Sequence, residues 1–163
     1  MQISQSLTSA INDQLNFEIY SAHIYLSMAT WFESKNLRGM AHWMRVQYRE
    51  ELEHAMKFID HIVERGGRAI VGPVPGPKVE WSSPREAFEE AYNHEKLVTQ
   101  RIYKIGELAD KEGDRATASF LKWFYDEQVE EEANTLEILE LLKMGGDSIP
   151  VLMQIDARLR ARE

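Results

Sequence analysis

From Gln5 to about Ser34, apolar side chains recur at Leu7, Ile11, Leu15, Ala22, Leu26 and Ala29, with no Gly or Pro to interrupt the helical period. This spacing predicts a first helix over about 5–34. Lys35-Asn36-Leu37-Arg38 offers a turn with Asn36 as a cap. Met40, Trp43, Met44, Ala55, Phe58, Ile59 and Ile62 then mark a second helix over about 37–65, stopped by Gly66-Gly67. A third helix, about 84–111, begins at Ser83-Pro84-Arg85-Glu86, where Ser caps, Pro takes the first helical position and Glu reaches back as a capping box. Gly113-Asp114 breaks and recaps the chain. A fourth helix over about 114–143 carries Phe120, Phe124, Leu136, Leu139 and Leu142 and ends at Gly145-Gly146. A short amphipathic fifth helix over about 149–160 follows Ser148.

The connections constrain the topology. The first and second helices are joined by a few residues and must be antiparallel neighbours, and so must the third and fourth. The link over 66–82 is different, because it contains Gly-Pro-Val-Pro-Gly-Pro and is long. At about 3.3 Å per residue it exceeds the length of a roughly 28-residue helix rising about 1.5 Å per residue. A crossover along the whole bundle is therefore expected, with a floppy loop as the alternative. The fold class read from this pattern is all-α: a four-helix bundle with a long crossover between its second and third helices and a short fifth helix.

Composition narrows the partners. The chain has 163 residues, 44% of them hydrophobic, which fits a single domain over 1–163 with a sizeable core. Its 27 acidic residues against 19 basic ones give a formal charge of -8, so nucleic acid and anionic membrane would be repelled and cations attracted. The absence of Cys excludes a disulfide scaffold, thiolate zinc sites and Cys nucleophiles. The first 34 residues hold no Lys or Arg and no clean apolar block, unlike a secretory signal, and no window is long enough to span a membrane. A cytoplasmic protein is the expectation.

Acids on the apolar stripes carry the chemical information. Glu18 lies between Leu15 and Ala22 on the inner face of the first helix. Glu51 takes an equivalent place between Tyr48 and Ala55, with His54 three residues on and nearly on the same face. Glu95 falls between Phe88, Ala91, Val98 and Ile102, and Glu131 between Phe124 and Ile138, in line with Glu127 or Gln128 one turn back. A buried ionised carboxylate costs several kcal/mol unless a cation or strong donors accompany it. No Lys or Arg lies between Trp123 and Leu142, where seven acids do.

Height matters as much as face. Counted from the turn near Asn36, Glu18 lies about 18 residues back and Glu51 and His54 about 15 to 18 forward, which levels them on an antiparallel pair. Counted from Gly113, Glu95 and Glu131 are each about 18 residues away and level in the same manner. Both pairs sit near mid-helix, so this argument leaves the direction of the third helix against the second open. Helical Glu-x-x-His with a Glu on each facing helix is a known arrangement of di-iron carboxylate bundles. Oxygen donors plus one imidazole suit Fe(II) or Mn(II), with Zn(II) as a competitor.

Asn16-Phe17-Glu18-Ile19-Tyr20, Glu50-Glu51-Leu52-Glu53-His54, Tyr92-Asn93-His94-Glu95 and Glu127-Gln128-Val129-Glu130-Glu131-Glu132, in that order and spacing, resemble the non-haem ferritins of bacteria and archaea over nearly the whole chain. The resemblance implies iron storage and detoxification: a ferroxidase that oxidises Fe(II) with dioxygen or peroxide and deposits ferric mineral inside a cage of 24 subunits. It assigns the first iron to Glu18, Glu51 and His54, and a second, bridged by Glu51, to Glu95 and Glu131. It implies a third iron at Glu50, Glu127 and Glu130, with Glu131 shared. Tyr25 matches the family's tyrosine beside the centre, or is a core aromatic with a hydrogen-bonded hydroxyl. Leu52 stands where haem-binding relatives have Met, so no haem is expected. Gln128 replaces a bridging carboxylate of di-iron oxygenases, which should hold the second iron less firmly.

His23, His42 and His61 read as structural or solvated, and His94 points about 100° away from Glu95. Trp123, Phe124 and Tyr125 read as packing. Two other functions are compatible with the same pattern: a di-iron peroxidase or oxygenase, and a structural bundle that binds no metal.

Overall fold

The computed structural model describes residues 2–163. They form α1 (Gln5–Ser34), α2 (Arg38–Glu64), α3 (Pro84–Glu112), α4 (Arg115–Gly145) and α5 (Ile149–Leu159), with no strand among the described residues. The all-α bundle expected from the period is thus present, including the short fifth helix.

Local chemistry sets most of the ends. Ser4, Ser83, Asp114 and Ser148 each accept a backbone N–H from the first turn of the helix they precede. Glu86 reaches back to the Ser82 amide, one residue earlier than a standard capping box. Gly113 closes α3 in the left-handed region at φ 68°.

The start of α2 departs from the sequence expectation. Asn36 does not cap α2: it takes φ 60° as part of the close of α1, and the true cap position, Leu37, makes no side-chain hydrogen bond. The cap comes from the far end of the chain. Asp156 on α5, itself buried, accepts the Met40 N–H at 2.8 Å through Oδ1. Gly39 makes the approach possible, since a Cβ there would lie 1.7 Å from the Asp156 carbonyl oxygen.

Residues 65–83 form an ordered crossover, not a floppy loop, and the restraint comes from α1. The Asn12 side chain donates to the Arg68 carbonyl and accepts the Ile70 N–H, at 3.0 and 2.7 Å. Asn16 repeats this one turn on, with the Ile70 carbonyl and the Gly72 N–H at 2.8 and 2.7 Å. Ser27 then donates to the Lys78 carbonyl at 2.6 Å. The segment therefore travels along α1 from Asn12 to Ser27.

Two apolar clusters fix the helix directions that spacing left open. One joins the end of α1 (Tyr25, Phe32), the starts of α2 (Met40, Met44) and α3 (Phe88), the end of α4 (Ile138, Leu142) and α5 (Ile155, Leu159). The other joins the start of α1 (Leu7, Ile11, Leu15), the ends of α2 (Phe58, Ile62) and α3 (Ile102, Ala109) and the start of α4 (Leu121, Phe124). Hence α3 runs parallel to α2. Between the clusters the core turns polar.

Candidate metal centre

That polar belt contains the acids expected from periodicity. Glu18 (α1), Glu51 and His54 (α2), Glu95 (α3), and Gln128 and Glu131 (α4) are all buried. Glu18, Glu51 and His54 offer ligand atoms within 4.8 Å of one another, and so do His54, Glu127 and Glu131. His54 belongs to both groups and joins them. Its Nδ1 is 3.4 Å from Glu51 Oε2, and its Nε2 is 3.8 Å from Glu127 Oε1.

The charge is only partly compensated, and mainly by neutral donors. Gln14 Nε2 donates to Glu18 Oε1 at 2.8 Å, and Gln47 Nε2 to Glu131 Oε2 at 2.7 Å. The Tyr25 hydroxyl donates to Glu95 Oε1, and Gln128 Nε2 to Glu95 Oε2 at 3.2 Å. Arg101 acts at one remove, its Nε donating to Gln14 Oε1 at 2.9 Å while its guanidinium lies 4.0 Å over the Phe17 ring. Glu18 Oε2 and Glu51 Oε2 are buried without a hydrogen-bond partner. Carboxylate oxygens left bare in this way, beside an imidazole, form a donor set for hard or borderline divalent cations.

Electrostatics agree with the geometry. Burial pushes the carboxyls of Glu18, Glu51, Glu95 and Glu131 above their usual range, and each is raised further by a neighbouring acid. Glu95 and Glu131 are both pushed up to about 8. Burial opposes charge on His54, but the carboxylates of Glu127, Glu51 and Glu18 close to it favour the charged ring, so its pKa is pushed up to about 12. Without a metal, protons supply the positive charge this belt needs.

The outer acids are arranged differently. Glu127 is half-buried, and the nearby His54 ring holds its carboxyl below the usual range, helped by the charges of Lys57 and Arg162. Glu50 pairs with Arg162, Nη2 to Oε2 at 2.6 Å. Glu130 is exposed and belongs to neither ligand group.

Gln14 and Gln47 were not singled out from the sequence, although each stands four residues before a buried Glu. Repetition of that Gln-x-x-x-Glu spacing on the inner stripes of two helices is the signal that could have found them. The other histidines sit apart from the ligand groups. His23 is exposed. His42 Nε2 pairs with the Arg162 carbonyl at 2.6 Å, and His61 Nε2 with Thr117 Oγ1 at 3.0 Å. His94 Nε2 pairs with Ser21 Oγ at 2.7 Å and stacks on Phe17, and burial lowers its pKa to about 4. Phe124 packs in the core, whereas Trp123 is 40% exposed and covers the His54 edge with its ring, its face holding Lys57 at 4.3 Å. Trp123 packs against Phe124 as well as His54, at ring-centroid distances of 4.9 and 5.5 Å, in keeping with a packing role. Among the described residues no helix is long and apolar enough to cross a membrane.

Residues 8–145 match the ferritin-like domain family. A bacterial non-heme ferritin of Staphylococcus saprophyticus is 40% identical over 160 residues, covering 98% of this chain and 96% of that protein. One from Bacteroides fragilis is 39% identical, covering 98% and 99%. Among solved structures, an open-pore ferritin from the hyperthermophilic archaeon Archaeoglobus fulgidus superposes with a TM-score of 0.99 at 48% identity, covering all of both chains. A form of that ferritin engineered to be closed superposes at 0.98 with 49% identity, covering 99% of both.

Proposed function

The chain belongs to the ferritin family, and from that premise we propose that it stores iron, taking in Fe(II) as substrate, oxidising it at the intrasubunit acid belt and depositing it as ferric mineral inside a self-assembled cage of 24 subunits. The observation that carries the ferroxidase reading is the buried cluster in which two ligand groups share His54. In this reading Glu18, Glu51 and His54 hold one ferrous ion. Glu131 and Glu95 hold the second, with Glu51 between them.

The chemistry follows from charge. Two Fe(II) ions give one electron each to dioxygen, which takes up two protons and leaves as hydrogen peroxide, and two Fe(III) ions remain. The four inner carboxylates match the four positive charges of two ferrous ions, and two ferric ions carry two more. The oxidised pair is therefore under-neutralised and is drawn toward further carboxylate, of which Glu127 is the first on the way to solvent. Gln14, Gln47, Gln128 and Tyr25 orient the carboxylates and are positioning residues, because each donates to an acid. The outer residues Glu50, Glu127 and Glu130, with Glu131 shared, would take a third ion. A cytoplasmic site of action and the absence of haem belong to the same proposal.

The test is aerobic addition of Fe(II) in large excess over subunits, followed by size-exclusion chromatography with iron and protein tracked together. Rapid oxidation with iron co-eluting on a very large particle is the expected result. A small particle that retains about two irons while the rest precipitates would overturn storage. Glu51→Ala should slow initial oxidation by more than about tenfold, since even orienting partners of metal ligands contribute 10–100-fold.

A further inference from the structure

Arg162 lies just beyond α5, and its side chain is fixed at three points. Nη2 meets Glu50 Oε2 at 2.6 Å, Nη1 donates to the Trp43 carbonyl at 3.3 Å, and the guanidinium lies 4.3 Å over the Trp43 ring. Its own carbonyl pairs with His42 Nε2 at 2.6 Å. The pair with Glu50 is mostly shielded, the two side chains being 17% and 34% exposed. A planar guanidinium that stacks, donates to backbone and pairs with a carboxylate through a single Nη is held far better than an ordinary surface lysine.

Glu50 directly precedes Glu51, and on the reading above it is a ligand for the outermost cation. We infer that Arg162 is a built-in cationic guard of that outer site: it occupies Glu50 until an incoming cation displaces it, so closing of the segment after α5 and binding of a third cation exclude each other. The inference rests on the proposed centre, both for the inner ions and for Glu50 as a ligand of the outer one.

Two features favour a guard over a passive surface pair. The acid it takes lies at the outer edge of the belt, and the four inner acids are left to neutral donors and protons. Its partners Trp43, His42 and Glu50 all lie on α2, the helix that carries Glu51 and His54, so release of Arg162 need not disturb the inner ligands. By reciprocity, whatever factor Arg162 removes from third-cation affinity, the third cation removes from the Arg162 lock. If Glu50 is paired for about nine-tenths of the time, apparent affinity there is lowered about tenfold.

Calorimetric titration of the metal-free assembly with Zn(II), which undergoes no oxidation, tests this. The native chain should show two tight sites per subunit and one weaker site. Arg162→Gln should leave the two tight sites unchanged and tighten the third about tenfold. Glu50→Gln combined with Arg162→Gln should lose that gain. Amide exchange over residues 159–163 should also quicken in the native chain only when the third equivalent binds. Coincident isotherms for the native chain and Arg162→Gln would overturn the guard while leaving the two-ion centre standing. A native chain without two tight sites would overturn the centre, and the guard with it.

Discussion

Glu18 shows what the belt costs the fold. One of its oxygens accepts from Gln14, the other has no partner, and burial together with the Glu51 charge holds its carboxyl well above the usual range. Replacing it by Gln removes a charge and places an amide where Glu51 can accept. Glu18→Gln should therefore raise the melting midpoint of the metal-free protein at high pH, where burial penalises the charged carboxylate. The same change should weaken Zn(II) binding at the first site by at least tenfold. Thermal melting and calorimetry read the two effects, and a lower midpoint at pH 9 would show that the ionised carboxylate is not a cost. pH acts on the same groups. Glu95 and Glu131, with folded pKa values near 8 against an ordinary 4.5, bind protons in the native state that the unfolded chain releases between those limits. His54, raised from 6.5 to about 12, contributes stability below 6.5 that is lost as pH rises. All three act in one direction, so the metal-free midpoint should fall as pH goes from 5.5 to 9. Metal displaces these protons, so loading should flatten the profile and release protons, measurable as a dependence of the binding heat on the buffer. The buried acids of the belt were legible because an acid on an apolar stripe contradicts its surroundings. Gln14 and Gln47 were not, because an amide on a helix face is ordinary until the acid it serves is known to be buried.

At the scale of the element, the sequence speaks clearly wherever the cause is local and weakly wherever it is distant. Ser83, Gly113 and Asp114 act within a turn of themselves, so the edges of α3 and α4 could be read from residue type. Leveling of Glu18 with Glu51 needed only a shared turn and the rise of a helix. The start of α2 could not be read, because its cap comes from Asp156, more than a hundred residues away. The parallel run of α3 against α2 depended on whether 65–83 was held, and the holding groups, Asn12 and Asn16, sit one turn apart on α1 among ordinary polar residues. The Asp156 contact gives an element-scale prediction. Asp156→Ala leaves the Met40 amide buried and unpaired and unties α5 from α2, at about 1–3 kcal/mol. Gly39→Ala should do as much damage from the opposite side, by forcing a Cβ against the Asp156 carbonyl. Both variants should show faster amide exchange in α5, with protection of α1 around Glu18 retained. Uniform loss of protection through the bundle would mean that α5 is integral to the core and not a docked cap.

For the whole molecule the unresolved balance is between charge and exposed apolar surface. A chain of charge -8 would be expected to stay apart from its copies, yet among the large apolar side chains it exposes are two groups close together in the chain. Ile70, Val71 and Val79 project along the crossover. Met144, Ile149 and Met153 stand 77%, 65% and 50% exposed around the turn from α4 into α5. Isolated apolar residues on a surface are ordinary, whereas a group of long ones at one corner of a bundle points to burial against another surface. In a cage that surface is a second copy. Ile149→Glu adds an ion to the apolar corner without touching the core, the helix caps or the acid belt, since Ile149 lies at the exposed start of α5. Sedimentation velocity should then show the large particle giving way to smaller species, more so at low salt, where like charges repel over a longer range. Initial oxidation of a small load of Fe(II) should persist, because every proposed ligand comes from within one subunit. Retention of a large iron load in solution should fail, because mineral needs an enclosed volume. If Ile149→Glu kept the native particle size, this corner would lie outside the assembly contacts and the apolar strip of the crossover would be the surface to alter next. If particle size and initial oxidation fell together, the centre would depend on assembly, and the proposal of a complete intrasubunit site would be wrong.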